Sequence, residues 1–208
     1  MSKTAHILAI TSASVLELTN DVTGFIPVNI FSSVPSEEVF VASRPFLEKD
    51  RYYQQIIPYV IITQEDKFLA YTRKTSGGES RLHRKVSIGF GGHIDFEDIV
   101  SNNDNVILLQ ESIEVAASRE ILEELGLDED IPSRNIIGTI NDRSNDVGKV
   151  HVGAVVKLES DWELDNYTIE DQIELLGYKT LDELKEYGDD LENWTKLVVD
   201  SYSNGVLK

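Results

Sequence analysis

Three glutamates on one short stretch, closed by a glycine, constrain this chain more than any other feature of its 208 residues. Residues 112–125 alternate apolar side chains and glutamates at helical spacing. Gly126 supplies the stop, because glycine tolerates the left-handed backbone that follows a helix. Advancing about 100° per residue with Glu120 at zero puts Glu124 near 40° and Glu123 near 300°, so the three carboxylates share an arc of roughly 100°. Ile121, Leu122, Leu125, Val115 and Ser118 fall between about 100° and 220°, which predicts that this opposite flank packs on a sheet. Ala116 and Ala117 lie next to the carboxylates and are small enough to leave access. Glu120 and Glu124 are like charges at i, i+4, which costs roughly 0.2–0.5 kcal/mol in an isolated helix. Carboxylates this close also make one another harder to ionise. A hard divalent cation relieves both problems, since Mg²⁺ takes oxygen ligands and retains waters and phosphate oxygens. In a chain with 37 acidic residues, however, an acidic helix face is ordinarily solvated surface, and Arg119 is accounted for as an i, i+4 partner of Glu123.

The order of residues separates the two readings. Glu111 is followed by seven residues and then by Arg119-Glu120-Ile121-Leu122-Glu123-Glu124-Leu125-Gly126-Leu127. This resembles the Nudix box, whose pattern is glycine, five residues, glutamate, seven residues, then Arg-Glu-aliphatic-x-Glu-Glu-x-Gly-aliphatic. The distal part matches at every specified position, and an ordered match of this length is far more specific than a lone glycine motif. The proximal glycine departs from the pattern, because Asn105 stands six positions before Glu111. The glycines that end a strand, as the family's pair does, are Gly91 and Gly92 in Gly89-Phe90-Gly91-Gly92-His93-Ile94. The box therefore spans 91–127, with an insertion at about 97–110 whose tip is Ser101-Asn102-Asn103-Asp104-Asn105.

The resemblance covers roughly residues 55–185. It implies a Nudix-type α/β/α sandwich of the α/β (α+β) class, with a mixed sheet and a loop-helix-loop catalytic motif. Residues 1–50 read as an N-terminal section packed on the core, and 51–208 as the hydrolase domain. Ala5–Thr11, Ser14–Leu18 and Val39–Ala42 are short strand candidates in the first section. Lys3 and Ala5–Ile10 are weakly similar to a signal peptide, but His6 and the polar Thr11–Ser14 favour a strand. Ile56–Thr63 and Lys67–Thr72 are β-branched runs joined by Gln64-Glu65-Asp66, which predicts a hairpin. Val86–Phe90, Ile136–Ile140 and Val150–Leu158 read as strands, and Leu181–Tyr187 and Leu191–Tyr202 as helices.

The family's implied roles transfer to matching positions. Glu120, Glu123 and Glu124 are the metal ligands, with the carbonyl of Gly91 joining them, and the cofactor is Mg²⁺ or Mn²⁺. Glu120 is also a candidate base. Arg119 and Glu111 are implied to form an orienting ion pair, because guanidinium and carboxylate meet as a planar fork. The reaction implied is hydrolysis of a phosphoanhydride in a nucleoside diphosphate linked to another moiety. The general base in this family often sits on a later loop, where Glu170, Asp171 and Glu174 are the candidates.

Other features bear on the substrate. Arg73, Lys74, Arg81, Arg84 and Lys85 lie within thirteen residues and make up five of the chain's 19 basic residues. Such groups clamp phosphate oxygens, and we expect Arg73, Arg81, Arg84 and Lys85 to bind substrate; a charged hairpin balancing nearby acids is the plainer account. His83 and His93 are placed to touch substrate, while His6 and His151 carry no spacing that suggests a metal site. Tyr71, Phe90, Phe96 and Tyr178 are stacking candidates by position, and each is equally explained as core. After Leu127 the first proline is Pro132 and the first tyrosine Tyr167, so no familiar substrate marker is evident.

Composition excludes several classes. A net charge of −18 disfavours duplex nucleic acid and anionic membrane, leaving a small-molecule diphosphate as partner, with a homodimer left open. The absence of cysteine removes disulfides and thiolate chemistry and fits a cytoplasmic protein. It also removes the isopentenyl diphosphate isomerase reading, whose best-known branch uses a cysteine. Two alternatives remain: a catalytically inactive Nudix-like nucleotide-binding module or regulator, and a purely structural acidic protein. Degenerate relatives usually lack a box glutamate, and none is missing here.

Overall fold

The structure, a computed structural model, describes residues 5–74, 85–128 and 135–207. In chain order its elements are β1 (His6–Thr11), α1 (Ser12–Leu18), β2 (Gly24–Ile26), β3 (Val39–Ser43), α2 (Arg44–Leu47), β4 (Tyr53–Gln64) and β5 (Lys67–Arg73). There follow β6 (Val86–Ser87), β7 (Gly89–Phe90), α3 (Leu109–Leu125), β8 (Ile136–Asn141), β9 (His151–Glu159), β10 (Ile173–Thr180), α4 (Leu181–Glu186) and α5 (Asn193–Ser203). The long apolar run of β4 is buried along most of its length, as expected of a central strand. It lies parallel to β9 from Gln55↔His151 to Thr63↔Glu159, and among the described residues the other pairings between these strands are antiparallel. The main path runs β10-β5-β4-β9-β8-β2, with β1, β3, β6 and β7 attached to its side. The hairpin between β4 and β5 turns on Glu65, whose φ is 54°.

Strand alternation divides the core in two. Ile56, Val60, Ile62, Leu69 and Val156 face Ile113, Ala117 and Ile121 of α3, while Tyr59, Ile61, Phe68, Ala70 and Val155 face Leu184 of α4 and Val198 and Val199 of α5. The α/β/α sandwich follows from this two-sided burial. The N-terminal strands enter the same sheet: β1 pairs with β4 through Ala9↔Gln55, and β2 with β8 through Phe25↔Ile140.

Two sequence expectations are corrected. Ser14–Leu18 is helical, as part of α1. The Thr11 hydroxyl accepts the Ser14 amide at 3.2 Å, and this N-cap turns the chain straight out of β1. The packing face of α3 is also rotated from the predicted one. Val115 and Leu122 are 42% and 47% exposed, whereas Leu109, Ile113, Ala116, Ala117, Ile121, Glu124 and Leu125 are buried. The face that bears the carboxylates in the last turns is thus continuous with the apolar face of the first turns. We expect Leu122→Ala to change stability by about 0.5 kcal/mol or less and Ile121→Ala to cost about 2–5 kcal/mol, as read from denaturant midpoints. Equal losses would contradict this orientation of α3.

Candidate active site

Gly91 and Gly92, just after β7, form the floor against which α3 sets its carboxylates. A Cβ on Gly91 would stand 1.9 Å from the Pro58 carbonyl oxygen, and its φ of +147° lies in the region that favours glycine. A Cβ on Gly92 would come within 2.5 Å of Glu120 Oε1. The turn thus needs two glycines because backbone and carboxylate both approach it closely. The Gly91 amide donates to Glu124 Oε2 at 3.1 Å, and Arg73 at the end of β5 donates to Glu124 Oε1 at 3.1 Å. Burial pushes the Glu124 carboxyl up to about 7, against the lowering effect of Arg73, with Glu120 adding to the rise. Burial also raises Glu120, against Arg119. Glu123 is the outlying member, with a side chain 60% exposed.

Arg119 organises the loop, but its partner is not Glu111. Its Nε and Nη2 form a fork on the Asp98 carboxylate at 2.9 and 2.8 Å. Nη1 reaches Glu120 at 2.9 Å and Glu123 at 3.2 Å, and Nη2 also donates to the His93 carbonyl at 3.0 Å. Asp98 is 4% exposed, whereas Glu111 lies exposed on the first turn of α3. The expected Arg119–Glu111 pair is therefore replaced by Arg119–Asp98. The missed signal was present in the sequence: from Gly92, five residues lead to Asp98, the box spacing with aspartate in place of glutamate. The insertion then lies after that acid, where twenty residues separate Asp98 from Arg119 and the box pattern has seven.

A cleft of about 1160 Å³ opens beside this arrangement. Its walls include Arg73, Gly91 and Gly92, which touch the box glutamates, although Glu120, Glu123 and Glu124 are not themselves among the lining residues. Lys85 also lines it and donates to the Asp189 carbonyl, whereas Arg81, Arg84 and His83 lie outside the described residues. Tyr59 and Trp194, whose rings meet edge-on at 5.6 Å, add an apolar wall. Their positions in the sequence are too far apart to have suggested it. Of the proposed stacking residues, Tyr71 and Phe90 are buried core, Phe96 is 62% exposed, and the Tyr178 hydroxyl pairs with that of Tyr167 at 2.7 Å. Tyr71 does line the cleft. The later loop is tied to the box helix by the Glu170 amide, which donates to the Glu124 carbonyl at 3.0 Å; Glu170 and Asp171 are exposed on it and Gln172 lines the cleft, whereas Glu174, expected on the same loop, is exposed on β10, where strand pairing opposite Thr72 holds it. His93 also lines the cleft, and burial, reinforced by Arg44 and His151, lowers its pKa to about 3, so the ring is neutral at neutral pH.

Comparison with known proteins decides the family. No protein-family model matches the sequence. Protein YmaB of Bacillus subtilis is 36% identical over 161 residues, which is 74% of this chain and 73% of that protein. The crystal structure of Tm1382, a candidate Nudix hydrolase, superposes with a TM-score of 0.74 at 25% identity, covering 96% of this chain and 98% of that one. The chain belongs to the Nudix hydrolases. It is accordingly a pyrophosphohydrolase, an enzyme acting on acid anhydrides, on the α/β fold expected. The Nudix likeness to Tm1382 spans nearly the whole chain and so includes the N-terminal strands, which lay outside the box resemblance. Among the described residues, no helix is long and apolar enough to cross a membrane.

Proposed function

We propose that the protein is a metal-dependent pyrophosphohydrolase that cleaves the phosphoanhydride of a small nucleoside-diphosphate derivative. Glu120, Glu123 and Glu124, with the Gly91 carbonyl, would hold Mg²⁺ or Mn²⁺. The observation that carries this reading is the pair Glu120 and Glu124, two carboxylates drawn out of water against a glycine turn that opens on a cleft. Burial disfavours both charges, and an all-oxygen donor set of this kind suits a hard divalent cation. When bound, that cation neutralises phosphate charge and acidifies a coordinated water.

The chain's own groups supply the rest. Arg119, held by Asp98, fixes the Glu120 and Glu123 carboxylates. Arg73 and Lys85 give the cleft the positive charge that receives phosphate oxygens. A carboxylate, either Glu120 or one of Glu170, Asp171 and Glu174, accepts the proton of the attacking water. The water oxygen bonds to phosphorus, the bridging phosphorus–oxygen bond breaks, and two phosphate-bearing products leave. The Tyr59–Trp194 wall offers an apolar surface to the organic part of the substrate.

A product-resolved screen of ADP-ribose, dinucleoside polyphosphates, coenzyme A and sugar nucleotides, each with Mg²⁺ or Mn²⁺, tests the proposal. Metal-dependent release of a monophosphate is the expected outcome. Saturable nucleotide binding without turnover across the panel would instead identify a binding module.

A further inference from the structure

Glu48, His93 and His151 come from three separate parts of the fold: the residue that ends α2, the segment after the glycine pair, and the first residue of β9. One ligand atom from each lies within 4.8 Å of the others, and all three residues line the cleft. One hydrogen bond of each ring fixes its tautomer. His93 Nε2 is 3.0 Å from Gln55 Oε1, and Gln55 is oriented by its own Nε2, which donates to the Val150 carbonyl at 3.3 Å. An amide oxygen only accepts, so the proton is on His93 Nε2 and the lone pair on Nδ1. His151 Nδ1 is 2.8 Å from the Val147 carbonyl oxygen, which puts its proton on Nδ1 and its lone pair on Nε2. Each ring therefore donates one N–H to an oxygen, the outer hydrogen bond that orients histidine ligands in metal sites. The ring centroids are 5.5 Å apart at 57°, so the rings are close neighbours without stacking.

We propose that Glu48, His93 and His151 form a second divalent-metal site on the cleft wall, suited to an imidazole-seeking ion such as Zn²⁺ or Co²⁺, with coordination positions left open to the cleft. Two imidazoles and one carboxylate favour such ions over Mg²⁺, which takes oxygen donors. Three protein ligands are also the number found where a metal keeps an exchangeable position. Zinc holds its donors roughly 3.4 Å apart, and the Glu48 side chain, 37% exposed and paired only with Arg44 four residues earlier among the described ion pairs, is the arm able to close on the ion. The site is separate in its ligands from the box glutamates and stands whether or not those hold Mg²⁺.

The test uses the full chain, stripped of metal by chelation and titrated with Zn²⁺ or Co²⁺ in excess Mg²⁺. Elemental analysis gives stoichiometry, and the visible bands of bound Co²⁺ report nitrogen ligation. One equivalent per chain is expected, unaffected by Glu123→Gln with Glu124→Gln. Glu48→Gln, on an exposed side chain that cannot disturb the core, should weaken binding by about tenfold or more, and His93→Gln further. Absence of Zn²⁺ retention in Mg²⁺, sensitivity to the box variants, or indifference to Glu48→Gln in a folded protein would each overturn the site.

Discussion

Replacing Glu123 or Glu124 by glutamine is expected to lower turnover by about 10²–10³-fold while the melting profile stays cooperative. The effect is large because a carboxylate that helps to neutralise a phosphoanhydride acts where charge develops in the transition state, and glutamine keeps the shape without the charge. The two positions arrive at this loss differently. Glu124 is buried, and its two oxygens accept separately from Arg73 and the Gly91 amide; glutamine keeps one acceptor, so this replacement loses one of those bonds as well as the charge. Glu123 is mostly exposed and held only by Arg119 at 3.2 Å among the described ion pairs, so its replacement touches little besides metal affinity. Metal dependence separates the chemistry from general damage. The wild-type chain should melt at higher temperature in Mg²⁺, by mass action on a native-state site, and both variants should lose most of that shift. Full activity in either variant would reject the assigned ligands.

Asp98→Ala is expected to destabilise the chain by about 3 kcal/mol, whereas Glu111→Ala should change stability by no more than about 0.5 kcal/mol. Asp98 is 4% exposed and Arg119 26%, so the aspartate is the desolvated partner, and its loss removes both bonds of the fork and leaves the partly buried Nε without its acceptor. The exposure of Arg119 sets the figure at the low end of what buried pairs give. Asp98 Oδ2 also accepts the Asp95 amide at 2.9 Å, an N-cap interaction lost with it. Because Arg119 holds Glu120 and Glu123, Asp98→Ala should lower turnover as well, and Asp98→Glu should restore part of both properties. Chemical denaturation of the two alanine variants side by side is sufficient: equal midpoints would mean that Asp98 does not anchor the loop.

What the sequence disclosed was local. The β4–β5 hairpin and α3 with its Gly126 stop were legible because β-branched runs, turn residues and a left-handed glycine act within a few positions. The helical form of Ser14–Leu18 was not, since one hydroxyl cap outweighed strand-like composition. The burial of Glu124 ran against hydropathy and could be seen only with the glycine turn in place. Asp98 was within reach of counting, had Gly92 rather than Glu111 been taken as the anchor. The cleft walls were beyond reach: Tyr59 and Trp194 meet through the packing of α5 on the sheet, and His93 and His151 through Gln55 and the pairing of β4 with β9, neither of which a short-range pattern encodes.

The fork between Asp98 and Arg119, with the packed first turns of α3, leaves the loop tip that precedes the helix free of geometric duty. Both ends of that excursion are pinned by these contacts, and the entropy of closing a loop grows only logarithmically, by about 0.6 kcal/mol for each doubling of length. Trimming residues from the tip at Ser101–Asn105, all exposed, should therefore leave catalytic alignment intact. Here the chain has a stretch on which sequence drift carries little penalty, a few residues from groups that tolerate almost none.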